Sequence, residues 1–222
     1  MSNELLWIIL LLVNCFMVVL AYRFFGKTGL YVWTAAAVIL ANLQVLKTIQ
    51  LFGMVATLGN IIYGSIFLST DILSENHGKK AAKKAVWIGF FVLIAATIIM
   101  QLCLQFVPDA SDFAHGSLEV LFGFLPRIAL ASLTAYLISQ HFDVWYFHFL
   151  KKKTSGKYLW LRNNMTTMTS QFFDSIIFVM IAFWGVFPNT VLWEIFLTTY
   201  VLKWVVALID TPFIYWAKRM KR

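Results

Sequence analysis

KKAAKKAVWIGFFVLIAATIIMQLCLQFVPDASD, residues 79–112, decides the fold. A hydrocarbon core ~30 Å thick is crossed by ~20 helical residues rising ~1.5 Å each. Residues 85–106 supply such a run without a single charge, apolar all round rather than on one stripe. A strand of a membrane barrel would instead alternate apolar and polar positions over ~10 residues. The run is therefore a membrane-spanning helix. Its flanks are asymmetric: Lys79, Lys80, Lys83 and Lys84 stand before it, while Pro108, Asp109 and Asp112 follow it.

Working outward, the same reading places further spans at 4–25, 29–47, 54–75, 118–141, 163–186 and 190–216, joined by short connections. The chain is 61% hydrophobic and 13% charged, with mean hydropathy +0.78. A soluble domain carries roughly 45–50% apolar and about 25% charged residues, so a soluble fold is excluded. The expected class is all-α, with no strands: a polytopic integral membrane bundle of about seven transmembrane helices. One transmembrane domain is expected to use residues 1–222. The first run begins Ser2, Asn3, Glu4, without a basic leader or a small-residue cleavage site, and is read as a retained helix rather than a secretory signal. Cys15 and Cys103 fall inside apolar runs and read as packing residues.

Of the eighteen Lys and Arg, fifteen fall in alternate connections or at the C-terminus: Arg23 and Lys27; the four lysines of 79–84; Lys151, Lys152, Lys153, Lys157 and Arg162; and Lys218, Arg219, Lys221 and Arg222. The positive-inside rule then sets the N-terminus outside and the C-terminus in the cytoplasm. A net charge of +8 arranged this way serves attraction to anionic headgroups and is no nucleic-acid signal. Turn residues mark the span ends at Gly26, Gly29, Gly78, Pro108, Gly156 and Pro188. Residues 108–119 form the main external loop. Residues 142–162, with Trp145, Tyr146, Phe147 and Phe149 ahead of the lysines, read as an interfacial cytoplasmic stretch.

Against this background, Asn42, Asp71, Glu75, Arg127, Gln171, Asp174, Lys203 and Asp210 stand out. Polar and charged groups are costly in hydrocarbon, so a chain holding several handles something polar there. Depth along ideal helices puts Arg127 level with Asp174, and Lys203 with Asp71 at roughly 10 Å from the cytoplasmic edge. An Arg and an Asp at one level neutralise each other or clamp the two ends of a polar ligand. Asp71 with Glu75, Gln171 with Asp174, and Lys203 with Asp210 each share a helix face. Asn42 offers donor and acceptor edges, and Tyr63 and Phe67, one turn apart on or near the stripe of Asp71, offer stacking surfaces. Plainer roles stay open: solvation or snorkelling near a helix end for Lys47, Glu75 and Asp210, a structural ion pair within the bundle for Arg127, Asp174 and Lys203, and interhelical hydrogen bonding for Asn42 and Gln171. Pro126 and Pro212 fall inside spans, each as a packing kink or a break lining a cavity.

No HExxH pair, Gly-x-Ser-x-Gly turn, Walker loop or Rossmann glycine pattern occurs, and the histidines are scattered. No enzyme, resident metal, cofactor or nucleotide-driven motor is expected.

Three runs carry a resemblance: Asp71-Ile-Leu-Ser-Glu75-Asn-His-Gly78-Lys-Lys-Ala; Arg127-Ile-Ala-Leu-Ala-Ser132 leading through Ser139-Gln140 to Asp143; and Leu161-Arg162-Asn163-Asn164 followed by Gln171-Phe-Phe-Asp174. With Lys203 and Thr211-Pro212 they resemble the queuosine precursor transporters, formerly grouped with vitamin uptake transporters. The likeness covers the chain from about Asn42 onward; His77 departs from the aromatic residue associated with its place. The resemblance implies a six-helix core plus an additional N-terminal helix. It also implies import of 7-deazaguanine bases (7-cyano-7-deazaguanine, 7-aminomethyl-7-deazaguanine or queuine) across the bacterial cytoplasmic (inner) membrane, for queuosine in tRNA. The expected contacts are Asp174 or Asp71 to the amino edge, Arg127, Gln171 or Asn42 to the carbonyl side, and Phe67 or Phe178 for stacking, with Lys203 holding the carboxylates ionised. Arg162, Asn163 and Asn164 are expected at the cytoplasmic mouth as a gate or exit site, with Glu75 and Asp210 as gating or structural groups. The protein is expected to act alone or as a homodimer. The alternative is a substrate-capture subunit of an energy-coupling-factor transporter.

Overall fold

The computed structural model describes residues 1–153 and 159–220; certain side chains in the later helices, those of Arg162, Asn163 and Asn164 among them, fall outside the described ones. The elements are α1 (Asn3–Gln44), β1 (Thr48–Leu51), β2 (Met54–Thr57), α2 (Gly59–His77), α3 (Lys79–Cys103), α4 (His115–Gly123), α5 (Leu125–Lys153), α6 (Leu159–Phe183) and α7 (Asn189–Arg219). Among the described residues, four helical stretches are long and apolar enough to cross a membrane: Asn3–Gln44, Lys79–Cys103, His115–Ser139 and Asn189–Arg219. The helices carrying Asp71 with Glu75, and Gln171 with Asp174, fall outside that set. The chain divides into two compact units, Met1–Pro126 with Val201–Arg222, and Arg127–Tyr200.

In the first unit, α1 is broken at Gly26, whose φ of 57° and ψ of −141° leave the helical region. The chain reverses there. A Cβ on Gly29 would collide with the Ala21 carbonyl oxygen, eight residues back, which within one straight helix would lie ~12 Å away. The arm before Gly26 buries Trp7, Leu11, Cys15, Val18 and Tyr22, a stripe at helical spacing, and exposes Leu5, Ile8, Leu12, Phe16 and other apolar residues on the remaining faces. An apolar helix buried on one stripe and apolar elsewhere is solvated by lipid. The second arm runs antiparallel to α2, tied by Trp33 Nε1 donating to Ser65 Oγ (3.1 Å) and by the contact of Thr34 Oγ1 with Ser69 Oγ (3.0 Å). Along α3, Ala81, Ala85, Gly89 and Leu93 are the buried positions, and a Cβ on Gly89 would stand 3.0 Å from Val38.

Contacts within this unit collect the basic residues at one end. Lys27 and Lys84 both lie 5.7 Å from the Tyr31 ring centre, Tyr22 meets His77 (3.2 Å), and Lys218 pairs with Glu75 (2.5 Å). At the other end Asn3 donates to Gln50 O (2.8 Å), and Phe52 N donates to Glu4 Oε1 (3.2 Å).

Those last contacts reach a β-hairpin, which corrects the expectation of no strands. Thr48 pairs with Thr57 and Leu51 with Met54, around a Phe52-Gly53 turn with φ of 51° and 80°. Two left-handed residues in succession make the turn whose twist suits a two-residue hairpin. Residues 54–57, read as the start of a span, are instead a strand, and α2 starts only at Gly59. In the loop between α3 and α4, Ser111 donates to Asp109 through its hydroxyl (2.5 Å) and its backbone N–H (2.9 Å), holding the Asp109 carboxyl below its usual range.

In the second unit, α5 and α6 form an antiparallel pair and the first turns of α7 pack back on α6. Phe142 meets Phe173 at 4.5 Å, and Phe172 meets Phe196 at 5.3 Å. The stretch expected to leave the helix after residue 141 continues as helix to Lys153, with the Trp145 and Phe149 rings stacked 5.8 Å apart. The expected break at Pro126 takes a mild form. Phe124 separates α4 from α5, and Pro126 stands in the first turn of α5, where its missing N–H leaves no bond unmade. By contrast, α7 runs on through Pro212.

Candidate functional site

The polar groups fall in both units: Asn42, Asp71, Glu75, Lys203 and Asp210 on α1, α2 and α7 of the first, and Arg127, Gln171 and Asp174 on α5 and α6 of the second. In the first unit Asp71 sits on α2, exposed, with Phe67 one turn before it and Tyr63 one turn before that; the two rings meet edge to face at 5.8 Å. Asp210, on α7, is only 4% exposed, and its carboxylate lies within electrostatic reach of Asp71 and of the buried Cys15. The end-of-helix solvation considered for Asp210 therefore does not hold, because α7 continues for more than two turns beyond it. Glu75 does behave as a boundary residue, half-exposed in its ion pair with Lys218.

The level shared by Lys203 and Asp71 is also corrected. A Cβ on Gly64 would strike the Val206 side chain, and Asn76 Nδ2 donates to Ala217 O at 3.2 Å. These contacts fix a parallel register that sets Lys203 beside Ile61, roughly 15 Å along the helix from Asp71. Asp210 takes the place expected for Lys203. Asn42 is 3% exposed, and its amide donates to Val38 O one turn back at 2.7 Å.

In the second unit α6 places Gln171, Asp174, Ser175 and Phe178 within one stripe, since positions three, four and seven apart share a face. Asp174 accepts from Ser139 Oγ of α5 at 3.3 Å. Gln171 Oε1 and Ser175 Oγ are both buried without a hydrogen-bond partner among the described residues. An orphaned buried polar atom costs about 1–3 kcal/mol, so two on adjacent turns of one face are unusual unless something else satisfies them. Phe178 lies at the end of the stripe, 6.0 Å from Phe183. Arg162, Asn163 and Asn164 belong to the first turns of α6, their side chains outside the described ones.

Arg127 does something other than face Asp174. Its Nε donates to Ile181 O at 2.7 Å, and its Nη2 donates to Trp184 O, so the guanidinium closes the C-terminal end of α6. Those carbonyls lack intrahelical donors, and a cation there also offsets the negative end of the helix dipole. Sequence reasoning missed Ser139 and Ser175. For Ser175 a signal existed, its place four residues after Gln171.

Among the described residues no group of three His, Cys, Asp or Glu is placed to hold a metal ion. The α6 face can accept and donate hydrogen bonds through Gln171, Asp174 and Ser175.

Residues 57–217 match the family described as "Putative vitamin uptake transporter". A relative from Bacillus subtilis (strain 168), called a probable queuosine precursor transporter, is 47% identical over 99% of this chain and 96% of its own length. The Escherichia coli (strain K12) queuosine precursor transporter is 28% identical over 65% of this chain and 62% of its own. A probable queuosine precursor transporter of Haemophilus influenzae is 28% identical over 60% of this chain and 54% of its own. No solved structure matches. With a family match that runs from β2 almost to the end of α7, and a relative alike along nearly its whole length, the chain belongs to the queuosine precursor transporter family.

Proposed function

We propose that the chain imports 7-deazaguanine queuosine precursors (7-cyano-7-deazaguanine, 7-aminomethyl-7-deazaguanine or queuine) for tRNA modification, as a single transmembrane transporter domain and not as an enzyme. It is a multi-pass protein of the bacterial cytoplasmic (inner) membrane. The observation that carries the substrate class is the α6 face, where the Asp174 carboxylate stands one turn from the unpartnered Gln171 Oε1. A deazaguanine offers an amino group and a ring N–H beside a carbonyl. A carboxylate takes two of those donors, and an amide oxygen takes another.

Asp174 and Gln171 read the amino edge, and Phe178 supplies a stacking ring. Arg127 acts through α6, holding the end of the helix that presents them. On the other unit Asp71, Phe67, Lys203 and Asn42 are further substrate-facing groups. Glu75, Asp210, Arg162, Asn163 and Asn164 serve gating or structural ends. Seven spans are supported by the reversal at Gly26, which divides the long α1 into two arms each close to the ~20 residues a crossing needs. A cytoplasmic C-terminus is supported by the basic residues gathered at one end of the first unit.

Purified chain in liposomes, without partner subunits, is expected to take up a 7-deazaguanine base saturably, acting alone or as a homodimer. Asp174→Asn and Gln171→Ala are expected to lower that uptake at least tenfold at normal expression. Normal uptake by both variants would move the site elsewhere. Uptake that appears only when ATPase and scaffold subunits are added would favour the energy-coupling-factor reading.

A further inference from the structure

Ser175 is fully buried, and its hydroxyl has no hydrogen-bond partner. A serine within a helix commonly satisfies its hydroxyl by donating to the carbonyl one turn back, at a slight cost to the helix. Here that bond is not made, and Gln171 Oε1, one turn earlier on the same face, is orphaned in the same way. Asp174 lies between the two in sequence and on the same stripe.

One face of one helix therefore offers, in order, an amide oxygen, a carboxylate and a hydroxyl. In chemical terms this is acceptor, acceptor, donor. The aminopyrimidinone edge of a 7-deazaguanine runs amino donor, ring N–H donor, carbonyl acceptor. We propose that Ser175 is a specificity-determining residue, donating its O–H to the ring carbonyl of the bound base while Gln171 Oε1 and Asp174 take the amino group and the ring N–H. This rests on the function proposed above and extends it from a substrate class to an oriented edge. An edge of the adenine type, with an amino group where the carbonyl stands, would set a donor against the serine donor. The hydroxyl can still rotate to accept from such a group, but the ring nitrogen beside it would then confront a carboxylate with no proton between them.

The ligand-free protein pays for these orphans, which gives the proposal a signature that a packing role lacks. Ser175→Ala removes a buried hydroxyl that has no partner until the base arrives. It is therefore expected to leave the ligand-free thermal midpoint unchanged or to raise it by roughly 2–4 °C. The same variant is expected to weaken binding of the 7-deazaguanine base about tenfold and to leave binding of the analogue that lacks the ring carbonyl oxygen unchanged. Gln171→Ala is expected to show the complementary pattern, losing affinity for the base but not for the analogue that lacks the exocyclic amino group.

The experiment measures both affinities and the ligand-free midpoint on the full-length purified chain, with Ser175→Cys as a second variant that preserves volume and weakens the donor. Selective loss for the carbonyl-bearing base in either variant supports the assignment. Equal loss for both ligands, a lowered ligand-free midpoint with equal loss, or no loss at all overturns it. A native chain that binds neither compound removes the proposed function itself, and the Ser175 assignment with it, an outcome that is distinct because it appears before any substitution is made.

Discussion

A guanidinium laid against the last carbonyls of a helix satisfies acceptors that have no donor of their own and neutralises part of the dipole that ends there. Arg127 does this for α6 through Ile181 O and Trp184 O. Hydrogen bonds from a charged donor contribute about 1.5–3 kcal/mol each, more than surface exposure usually leaves and more than a neutral cap provides. Arg127→Ala is expected to lower the thermal midpoint of the purified protein by about 4–8 °C, on a loss of ~2 kcal/mol. Arg127→Lys should recover only part of it, because one ammonium cannot reproduce the planar fork. An unchanged midpoint with abolished binding would instead make Arg127 a substrate contact. The sequence legibly singled out Arg127 and Asp174 as residues that membrane burial does not explain. Their partners were not legible, because a depth estimate assumes one continuous helix from residue 118. The interruption at Phe124 puts Arg127 in the first turn of a new helix, opposite the end of α6 rather than its middle. Asp210 was misplaced for the converse reason: its helix does not stop where a span of ordinary length would.

At the scale of elements, glycine placement settled more than hydrophobicity did. The apolar pattern located α2, α6 and α7 to within about five residues, because lipid and core both select for it, but it ran α4 into α5 and ended α5 about twelve residues early. Apolarity alone runs almost unbroken through α1, and the division into spans 4–25 and 29–47 rests on Arg23, Lys27 and the glycines beside them. Gly26 and Gly29 make that separation, the first by adopting φ of 57° and the second by letting the backbone at Ala21 approach where a side chain would stand. Gly29→Ala places a methyl group against a carbonyl oxygen that belongs to rigid helix, so one arm must shift. A loss of about 1–3 kcal/mol is expected, read as reduced yield of folded protein and a lowered midpoint, with Gly116→Ala as the control at a position where a Cβ meets nothing within 4 Å. Equal behaviour of the two variants would refute the tight reversal. The hairpin was lost to the opposite difficulty. Each of its strands has only four residues, too few for a period of two to register, and Met54–Thr57 is apolar enough to pass as helix. Its signal was the turn: Phe52-Gly53 between Thr48-Ile49 and Val55-Thr57, a glycine and β-branched residues where a helix would have neither need nor preference.

For the molecule as a whole the decisive quantity is the side of the membrane on which charge is left. The family match begins at Thr57 and so omits α1, yet α1 supplies Tyr22, which joins Asn76 and His77, and Tyr31, which stands by Lys27 and Lys84. An added N-terminal segment with two crossings preserves the side on which the following residues begin. With the four lysines of 79–84 in the cytoplasm, two arms in α1 leave the N-terminus outside, the orientation proposed from the charge asymmetry. The expectation is concrete: with Cys15 and Cys103 replaced by serine, a cysteine at Ala110 should react with a membrane-impermeant maleimide on intact spheroplasts. A cysteine at Lys80 should react only after permeabilisation. Both positions are exposed, so reactivity reports sidedness and not burial. Labelling of the Lys80 site from outside, with protection of the Ala110 site, would invert the topology. The acidic loop around Asp109 and Asp112 would then face the cytoplasm, the gathered lysines would face outward against the charge rule, and the proposed cytoplasmic C-terminus would have to be abandoned.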